Sequence, residues 1–246
     1  MLSKLKAVVL AAGKGTRLNS NDVDAPKVMR LANEKPLLWY VLEAISFVEK
    51  KDTIIVVGYK KENVIEYFDG YEYAYQQEQL GTGHAVMAAG EWLKQHKGAV
   101  LLCYGDMPAI RREIYDLLVN THYQQANNCT LLTGLSDLSM SFGRIIRDEN
   151  GSFTQVVEEK DCTPDQLKIK ELNTGVYVFD TQWLLRGLAE LTNDNAQREY
   201  YVTDVPAIMK QHGAKIGLCM CNLGDDMIGV NTLEQLNMVE RILKER

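Results

Sequence analysis

Apolar residues recur along the first half of the chain in two patterns, short unbroken runs and longer segments at helical spacing. The unbroken runs are residues 7–11, 53–58 and 99–104. They predict strands of a sheet that is covered on both faces. The segments at helical spacing, predicted as helices, are residues 37–48, 62–68 and 83–93, and a further strand is predicted at residues 73–76. This alternation of strand and helix predicts right-handed βαβ units and a parallel sheet.

The second half of the chain mixes hairpin and helix signals. Residues 143–147 and 153–158 flank Asn150-Gly151, a dipeptide typical of tight hairpins. The remaining predicted elements are strands 171–179 and 215–221 and helices 183–191, 202–212 and 232–243. Because no repeat, low-complexity tract or linker interrupts the chain, we predict a single α/β domain over residues 1–246. Its later hairpins are expected to form a subdomain over one edge of the sheet.

Charge and composition exclude several classes of protein. Lys and Arg total 27 against 33 Asp and Glu, a formal net charge of −6, which disfavours nucleic-acid binding. The sequence has no apolar run of the ~18 residues that a membrane span needs, so no membrane partner is expected. Its five cysteines include no C-x-x-C pair, which disfavours a disulfide framework or zinc ribbon. Cys103, Cys219 and Cys221 lie in apolar runs, and we expect buried thiols in a reducing cytoplasm.

A glycine-rich loop follows the first predicted strand. Gly13 and Gly15 would let backbone N–H groups approach a phosphate, and Lys14 and Arg17 add positive charge. The P-loop pattern does not fit these residues. The G-x-G-x-x-G dinucleotide pattern fails because Leu18 stands where its third glycine belongs. The loop taken alone therefore predicts a phosphate site, with a plain glycine turn as the alternative.

Asp106 comes directly after the third apolar strand. The carboxyl ends of parallel strands share one edge of the sheet, so its side chain is expected in the same crevice as the glycine loop. A carboxylate there suits Mg²⁺, which also binds phosphate oxygens. The alternative is an ordinary turn or helix-capping aspartate.

The sequence Leu10-Ala11-Ala12-Gly13-Lys14-Gly15-Thr16-Arg17 has the form of the glycine loop of the sugar-1-phosphate nucleotidyltransferases. More specifically, the chain resembles the uridylyltransferase domains of the bacterial bifunctional N-acetylglucosamine-1-phosphate uridylyltransferase/acetyltransferases. Eight further stretches match in the family's order, namely residues 25–28, 76–85, 104–108, 142–145, 157–161, 171–175, 195–204 and 229–231. The resemblance implies a Rossmann-like, mostly parallel sheet flanked by helices, the nucleotide-diphospho-sugar transferase fold. It also implies a hairpin-rich sugar-binding subdomain.

The resemblance assigns a role to each matching residue. The implied nucleotide-binding residues are Leu10, Ala11, Ala12, Gly13, Lys14, Gly15, Gln76, Gly81 and Thr82. The implied sugar-binding residues are Tyr104, Gly105, Gly143, Glu158 and Asn173. The implied catalytic residues are Arg17, Lys27 and Asp106, and the implied Mg²⁺ ligands are Asp106 and Asn231. Residues 1–110 would then bind the nucleotide and residues 111–231 the sugar, with a terminal helix over residues 232–246.

Several positions depart from the family's pattern. Phe142 stands where tyrosine is frequent, Arg198 where a small residue is usual, and Thr232-Leu233 where asparagine and arginine commonly follow. The stretch of residues 19–25 looks longer than usual, which affects the expected placement of Lys27. The hexapeptide-repeat acetyltransferase domain of the bifunctional enzymes is not found in these residues, so no acetyl-CoA chemistry is expected.

The leading prediction is a Mg²⁺-dependent enzyme that makes UDP-N-acetylglucosamine and pyrophosphate from UTP and N-acetylglucosamine 1-phosphate. The amide of Gln76 matches uracil or cytosine, so another pyrimidine nucleotide, or glucose 1-phosphate, stays open. A non-catalytic nucleotide-sugar sensor is a rival from another class. A nicotinamide-dependent oxidoreductase is disfavoured by the missing third glycine. The expected partners are therefore small molecules, a nucleoside triphosphate and a sugar 1-phosphate.

Overall fold

The computed structural model describes residues 5–15, 18, 25–135 and 142–246. The elements of the first half are β1 (Leu5–Leu10), β2 (Leu31–Ala32), β3 (Lys35–Pro36), α1 (Leu37–Ala44), β4 (Thr53–Val57), α2 (Lys61–Tyr67), β5 (Glu72–Tyr75), α3 (Thr82–Ala88), α4 (Gly90–Leu93) and β6 (Ala99–Tyr104). Those of the second half are α5 (Arg112–Gln124), β7 (Cys129–Leu135), β8 (Arg144–Arg147), β9 (Phe153–Val157), β10 (Glu171–Asp180), α6 (Thr181–Ala189), α7 (Val205–Gln211), β11 (Ile216–Cys221) and α8 (Leu233–Lys244).

One mixed, mostly parallel sheet runs through both halves, in the order β11-β7-β10-β6-β1-β4-β5. Strand β1 pairs in parallel with β4 on one side and β6 on the other. The chain builds outward from β1 through β4 to β5 and then returns to place β6 on the other side of β1. Such a reversal opens a crevice at the carboxyl ends of β1 and β6, where doubly wound folds bind ligands.

The second half extends this sheet through strand β10, which is antiparallel to both of its neighbours, β6 and β7. The β8–β9 hairpin forms as the Asn150-Gly151 signal predicts. It joins the sheet where Leu172 of β10 pairs with Arg144. Because β10 lies inside the strand order, the hairpin attaches to an interior strand rather than to an edge strand of the sheet.

The sheet separates two layers of buried side chains. On β1, Ala7 and Val9 face a cluster that contains side chains of α1 and α5. Val8 and Leu10 face the opposite cluster, to which α3, α6 and α7 contribute. Every residue of β4 is buried. Burial on both faces removes the polar alternation of a half-exposed strand, which explains why these strands are continuous apolar runs.

Some predicted helices have different limits in the structure. The predicted helix 83–93 is divided into α3 and α4 at Ala89, and α1 ends at Ala44 rather than at residue 48. Helix α7 begins at Val205 because a 3₁₀ turn occupies Val202–Asp204. Within the described ranges, no helix is long and apolar enough to span a membrane.

Helix α5 and strand β7 were not among the predicted elements. The buried residues of α5 are Tyr115, Leu118, Val119 and His122. Their spacing of three, four and seven residues is a helical signal that the sequence contains. Strand β7 is buried except at Leu135, but Thr130, Thr133 and Gly134 interrupt its apolar residues, so it lacks the unbroken apolar pattern of β4.

Candidate active site

A cleft with two adjoining cavities lies at the carboxyl ends of β1 and β6. The first cavity, of about 360 Å³, is bordered by the end of β1, the loop after β5 and the start of α3. The second, of about 280 Å³, is bordered by the region around the β8–β9 hairpin, by β10 and by the segment before α7. Five residues line both cavities, namely Thr82, Tyr104, Asp106, Glu199 and Asn231. The two cavities therefore form one continuous cleft.

Lys27, Asp106 and Asn231 meet at the junction of the two cavities. The Lys27 ammonium forms an ion pair with the Asp106 carboxylate. It also donates a hydrogen bond to Asn231 Oδ1, with 2.7 Å between the two atoms. The backbone carbonyl of Asp106 accepts a hydrogen bond from the N–H of Val230 at 2.9 Å. These contacts join three distant parts of the sequence, and all three polar side chains are partly buried.

The N-terminus of α8 holds Asn231 in place. Thr232 and Gln235 form a capping box at this helix end. The Gln235 side chain also accepts a hydrogen bond from the Asn231 N–H at 2.8 Å. Asn231 Nδ2 donates to the Gly229 carbonyl at 3.1 Å, which directs the amide oxygen toward Lys27.

The Asp106 carboxylate and the Asn231 amide present oxygen atoms to one ammonium group. Oxygen donors of these types are the ligands that Mg²⁺ prefers, and Mg²⁺ usually takes its other ligands from water and phosphate. In the part of the chain that the structure describes, no three His, Cys, Asp or Glu side chains converge as a metal cluster. The donor set at this junction fits a hard cation that shares its coordination with a bound phosphate.

The glycine loop is fixed to the neighbouring strand ends by its backbone. The carbonyl of Leu10 accepts from the Gly105 N–H at 2.9 Å, and the N–H of Ala11 donates to Val56 at 2.8 Å. A Cβ at Gly13 would have no heavy atom within 4 Å, so the backbone there is open. Leu10, Ala12 and Gly13 line the first cavity.

Gly15 has a different role in this loop. Its φ is +67°, and a Cβ there would lie 2.6 Å from the Cβ of Lys27. The absence of a side chain at Gly15 therefore leaves room for the Lys27 side chain beside the loop. The Lys14 ammonium lies 5.2 Å from the centre of the Tyr59 ring. Ala11, Lys14, Gly15 and Gly105 do not themselves line either cavity.

Gln76 and Gly81 form the far side of the first cavity. Gln76 is 5% exposed, and its Nε2 donates to the Gly81 carbonyl at 3.1 Å. The same nitrogen lies 3.2 Å from Nδ1 of His84. Gln79 also lines the cavity and donates to the carbonyl of Ala12 at 3.3 Å.

Glu158 lines the second cavity, as do the acidic residues Asp106 and Glu199. Its Oε1 accepts a hydrogen bond from the Thr203 hydroxyl at 2.9 Å. Burial raises the pKa of the Glu158 carboxyl, the Thr203 hydrogen bond opposes this shift, and the charges of Asp204 and Asp161 add to it. Burial, together with Asp161, also raises the pKa of Asp204 to about 6.

Asn173 lies in β10 beside Glu158 and Gly143 in the wall of the second cavity. Its N–H donates to the carbonyl of Gly143 at 2.9 Å, and its Nδ2 donates to the Tyr177 hydroxyl at 2.6 Å. Among the described residues, its buried Oδ1 has no hydrogen-bond partner. Asn173 therefore lines the cavity as a residue while its side-chain oxygen is buried and unsatisfied.

The structure brings most of the predicted site residues to this one cleft. Arg17 lies outside the described residues, as do residues 19–24 of the lengthened stretch before Lys27. Lining residues that the sequence analysis did not single out include Gln79, Gly175, Glu199, Thr203 and Gln235. The first four lie inside the stretches that match the family, so the sequence indicated these segments without assigning a role to the individual residues. Gln235 lies outside these stretches and is in reach only because α8 begins beside Asn231.

The chain is similar to known proteins over its whole length. Residues 6–223 match the family model described as nucleotidyl transferase. The bifunctional protein GlmU of Caldanaerobacter subterraneus subsp. tengcongensis is 42% identical over 246 residues, covering 100% of this chain and 53% of that protein. GlmU of Streptococcus thermophilus is 41% identical over 241 residues, covering 98% of this chain and 52% of that protein. The chain thus spans about half the length of the curated relatives it matches.

A solved structure shares the fold at low sequence identity. The crystal structure of a UDP-glucose pyrophosphorylase complexed with UDP-glucose superposes with a TM-score of 0.75 and is 17% identical. The match covers 98% of this chain and 99% of that one. At this identity, the likeness is evidence for the fold alone.

Proposed function

Because this chain belongs to the nucleotidyl transferase family, we propose that it joins UTP to N-acetylglucosamine 1-phosphate and releases pyrophosphate. The observation that carries the proposal is the cluster of Lys27, Asp106 and Asn231 at the junction of two cavities. A transfer between two phosphate-bearing substrates needs such a junction, because their phosphates have to meet where positive charge is available. The chain's resemblance to the uridylyltransferase branch supports the choice of substrates.

In this proposal the nucleotide occupies the first cavity and the sugar phosphate the second. The residues proposed for the nucleotide that line the first cavity are Leu10, Ala12, Gly13, Gln76, Gly81 and Thr82. Ala11, Lys14 and Gly15 belong to the proposed nucleotide loop but lie outside the cavity lining. Those proposed for the sugar are Tyr104, Gly143, Glu158 and Asn173, which line the second cavity, and Gly105, which lies next to Tyr104 outside the lining. The proposal keeps a nucleotide-binding part up to about residue 110 and a sugar-binding part over residues 111–231, with Tyr104 and Gly105 near the boundary between them. Glu158 accepts hydrogen bonds from sugar hydroxyls, and Asn173 lines the same wall of the cavity.

The reaction exchanges one phosphorus–oxygen bond for another. An oxygen of the sugar phosphate attacks the α-phosphorus of UTP, and the bond from that phosphorus to the β-phosphate oxygen breaks. Pyrophosphate takes the electron pair of the broken bond. Because a phosphate oxygen is already nucleophilic, the chain needs no general base, and none of its residues is assigned that role.

The chief barrier to this encounter is repulsion between phosphates. Two unit charges 4 Å apart repel by about 4 kcal/mol at an effective dielectric constant near 20, and several such pairs meet here. Lys27 offsets part of this charge at the junction, and Arg17 is proposed to assist. Asp106 and Asn231 would hold Mg²⁺, which supplies further charge neutralisation when bound. Lys27, the glycine loop and the cavity walls keep the two substrates aligned.

The proposal is tested by pyrophosphate release from the purified protein with Mg²⁺. UTP, CTP, dTTP, GTP and ATP are each combined with N-acetylglucosamine 1-phosphate and glucose 1-phosphate. The expected result is highest kcat/KM for UTP with N-acetylglucosamine 1-phosphate. Preference for glucose 1-phosphate would retain the reaction and refute the sugar.

The sensor hypothesis predicts a different outcome. A well-folded protein that binds UDP-N-acetylglucosamine in calorimetry, yet releases no pyrophosphate with any pair, would contradict the catalytic proposal. The presence of Lys27 beside Asp106 and Asn231 favours catalysis, because a sensor has no need for charge and cation ligands at the junction of the cavities.

A further inference from the structure

His84 contacts Gln76, which lines the first cavity. It lies in the first turn of α3, half-buried, and is not part of the cavity lining. Its Nδ1 is 3.2 Å from Nε2 of Gln76, while that same Nε2 is 3.1 Å from the carbonyl oxygen of Gly81. The side-chain amide of Gln76 is therefore held between a backbone carbonyl and an imidazole nitrogen.

These two contacts permit only one orientation of the Gln76 amide. A backbone carbonyl only accepts hydrogen bonds, so the atom of Gln76 that faces Gly81 has to be the nitrogen. The amide nitrogen has two hydrogens, and the second points to His84. His84 Nδ1 consequently accepts, which places the imidazole proton on Nε2. With both N–H groups engaged, Oε1 is the polar atom that Gln76 offers to a ligand in the cavity.

An amide oxygen offered alone distinguishes between pyrimidine bases. Uracil and thymine carry an N–H at ring position 3, which donates to such an oxygen. Cytosine has an unprotonated nitrogen at this position, and its lone pair would face the lone pairs of Oε1. A buried acceptor left without a donor destabilises a complex, so a fixed Oε1 disfavours cytosine.

We propose that His84 is a positioning residue that selects uracil or thymine nucleotides over cytosine nucleotides by fixing the orientation of Gln76. This inference rests on the proposed function, which places the base in the first cavity. The Gly81 carbonyl engages only one N–H of Gln76. The His84 acceptor keeps the second N–H out of the cavity, where the ring nitrogen of cytosine would otherwise accept it.

The test compares binding of UTP and CTP to three forms of the full chain by calorimetry. His84→Leu removes the acceptor with little change in size, whereas His84→Asn retains an oxygen close to the position of Nδ1. We expect the wild-type protein to bind UTP more tightly than CTP. In His84→Leu the ratio of the CTP to the UTP dissociation constant should fall roughly tenfold, about the effect of one hydrogen bond. His84→Asn should keep most of the preference, and dTTP should be affected in the same way as UTP.

Several results would overturn the inference. An unchanged UTP-to-CTP ratio in His84→Leu would show that Gln76 is held without His84. Equal loss in His84→Leu and His84→Asn would show that the imidazole acts through its shape rather than as an acceptor. Because nucleotide binding is measured without turnover, failure of the proposed reaction would appear separately, as UTP binding without pyrophosphate release.

A second measurement does not require a stable variant. Imidazole ¹⁵N chemical shifts in the wild-type protein report which ring nitrogen of His84 carries the proton. The inference requires a protonated Nε2 and an unprotonated Nδ1 in the neutral ring. The opposite tautomer would place a donor against the Gln76 N–H and would refute the proposed orientation.

Discussion

Replacing Gly175 with alanine should displace the Tyr104 ring, which lines both cavities. Gly175 lies in β10, where the pairing with β7 shifts register, and its φ is +83°. A Cβ at this position would lie 2.6 Å from Cε2 of Tyr104 and 3.3 Å from Cζ. Ordinary van der Waals contact is impossible at 2.6 Å, so either the ring or strand β10 has to move.

The expected loss of stability has two parts. A side chain at positive φ costs about 1–2 kcal/mol. Overpacking against a buried ring costs about 1–3 kcal/mol more. Gly213 provides a matched control, because its φ is +87° and a Cβ there would have no heavy atom within 4 Å. Gly213→Ala should therefore be destabilised only by the cost of a side chain at positive φ.

The free energy of unfolding is measured by chemical denaturation, and kcat/KM by pyrophosphate release. Gly175→Ala should unfold about 1–3 kcal/mol more easily than Gly213→Ala. It should also lose roughly 10–100-fold in kcat/KM, because small displacements of positioning groups have effects of this size. Gly213→Ala should keep wild-type activity. Equal destabilisation of the two variants would refute the contact with Tyr104, and unchanged kcat/KM in Gly175→Ala would show that the ring position does not affect the reaction.

Three further substitutions test other parts of the cleft. Asp106→Asn should lower kcat/KM by roughly 10²–10³-fold in a folded protein; near-normal turnover across a Mg²⁺ titration would remove Asp106 from the site. Glu158→Ala should raise the KM for the sugar phosphate more than that for UTP, and the reverse order in steady-state kinetics would contradict its assignment to the sugar. Burial raises the pKa of Asp204 from 3.8 to about 6, so its ionisation destabilises the folded state as pH rises through 6. Asp204→Asn should thus raise Tm at pH 7.5, with a gain that shrinks toward pH 4; thermal melts showing a larger gain in acid would contradict this.

Much of the core of the fold follows from the sequence. The runs that became β1, β4 and β6 are apolar because both faces of these strands are buried, and this requirement is local to each strand. The Asn150-Gly151 hairpin is specified locally as well, by its turn residues. Where helix limits differed, as at Ala89, the break lies directly before Gly90, a poor helix former that the apolar period does not register.

The insertion of β10 between β6 and β7 was not predictable in this way. Phe179 of β10 pairs with Val100 on one side and Cys129 on the other, far apart in sequence. An apolar strand carries no local signal for the partner it will have, because any neighbour of similar pattern would bury it equally well. Strand order is therefore decided when the layers pack.

The sequence by itself determined the chemical groups available to this protein and the segments that carry them. It identified a glycine loop after one buried strand, an aspartate after another, and matched stretches containing Lys27 and Asn231. Only the tertiary structure decided that Lys27 hydrogen-bonds Asn231, 204 positions away, and that Gly15 makes room for Lys27 rather than lining a cavity. The physical reason is that periodicity and turn chemistry act within a few residues. Contacts between distant side chains depend instead on how the sheet and its two helical layers pack together.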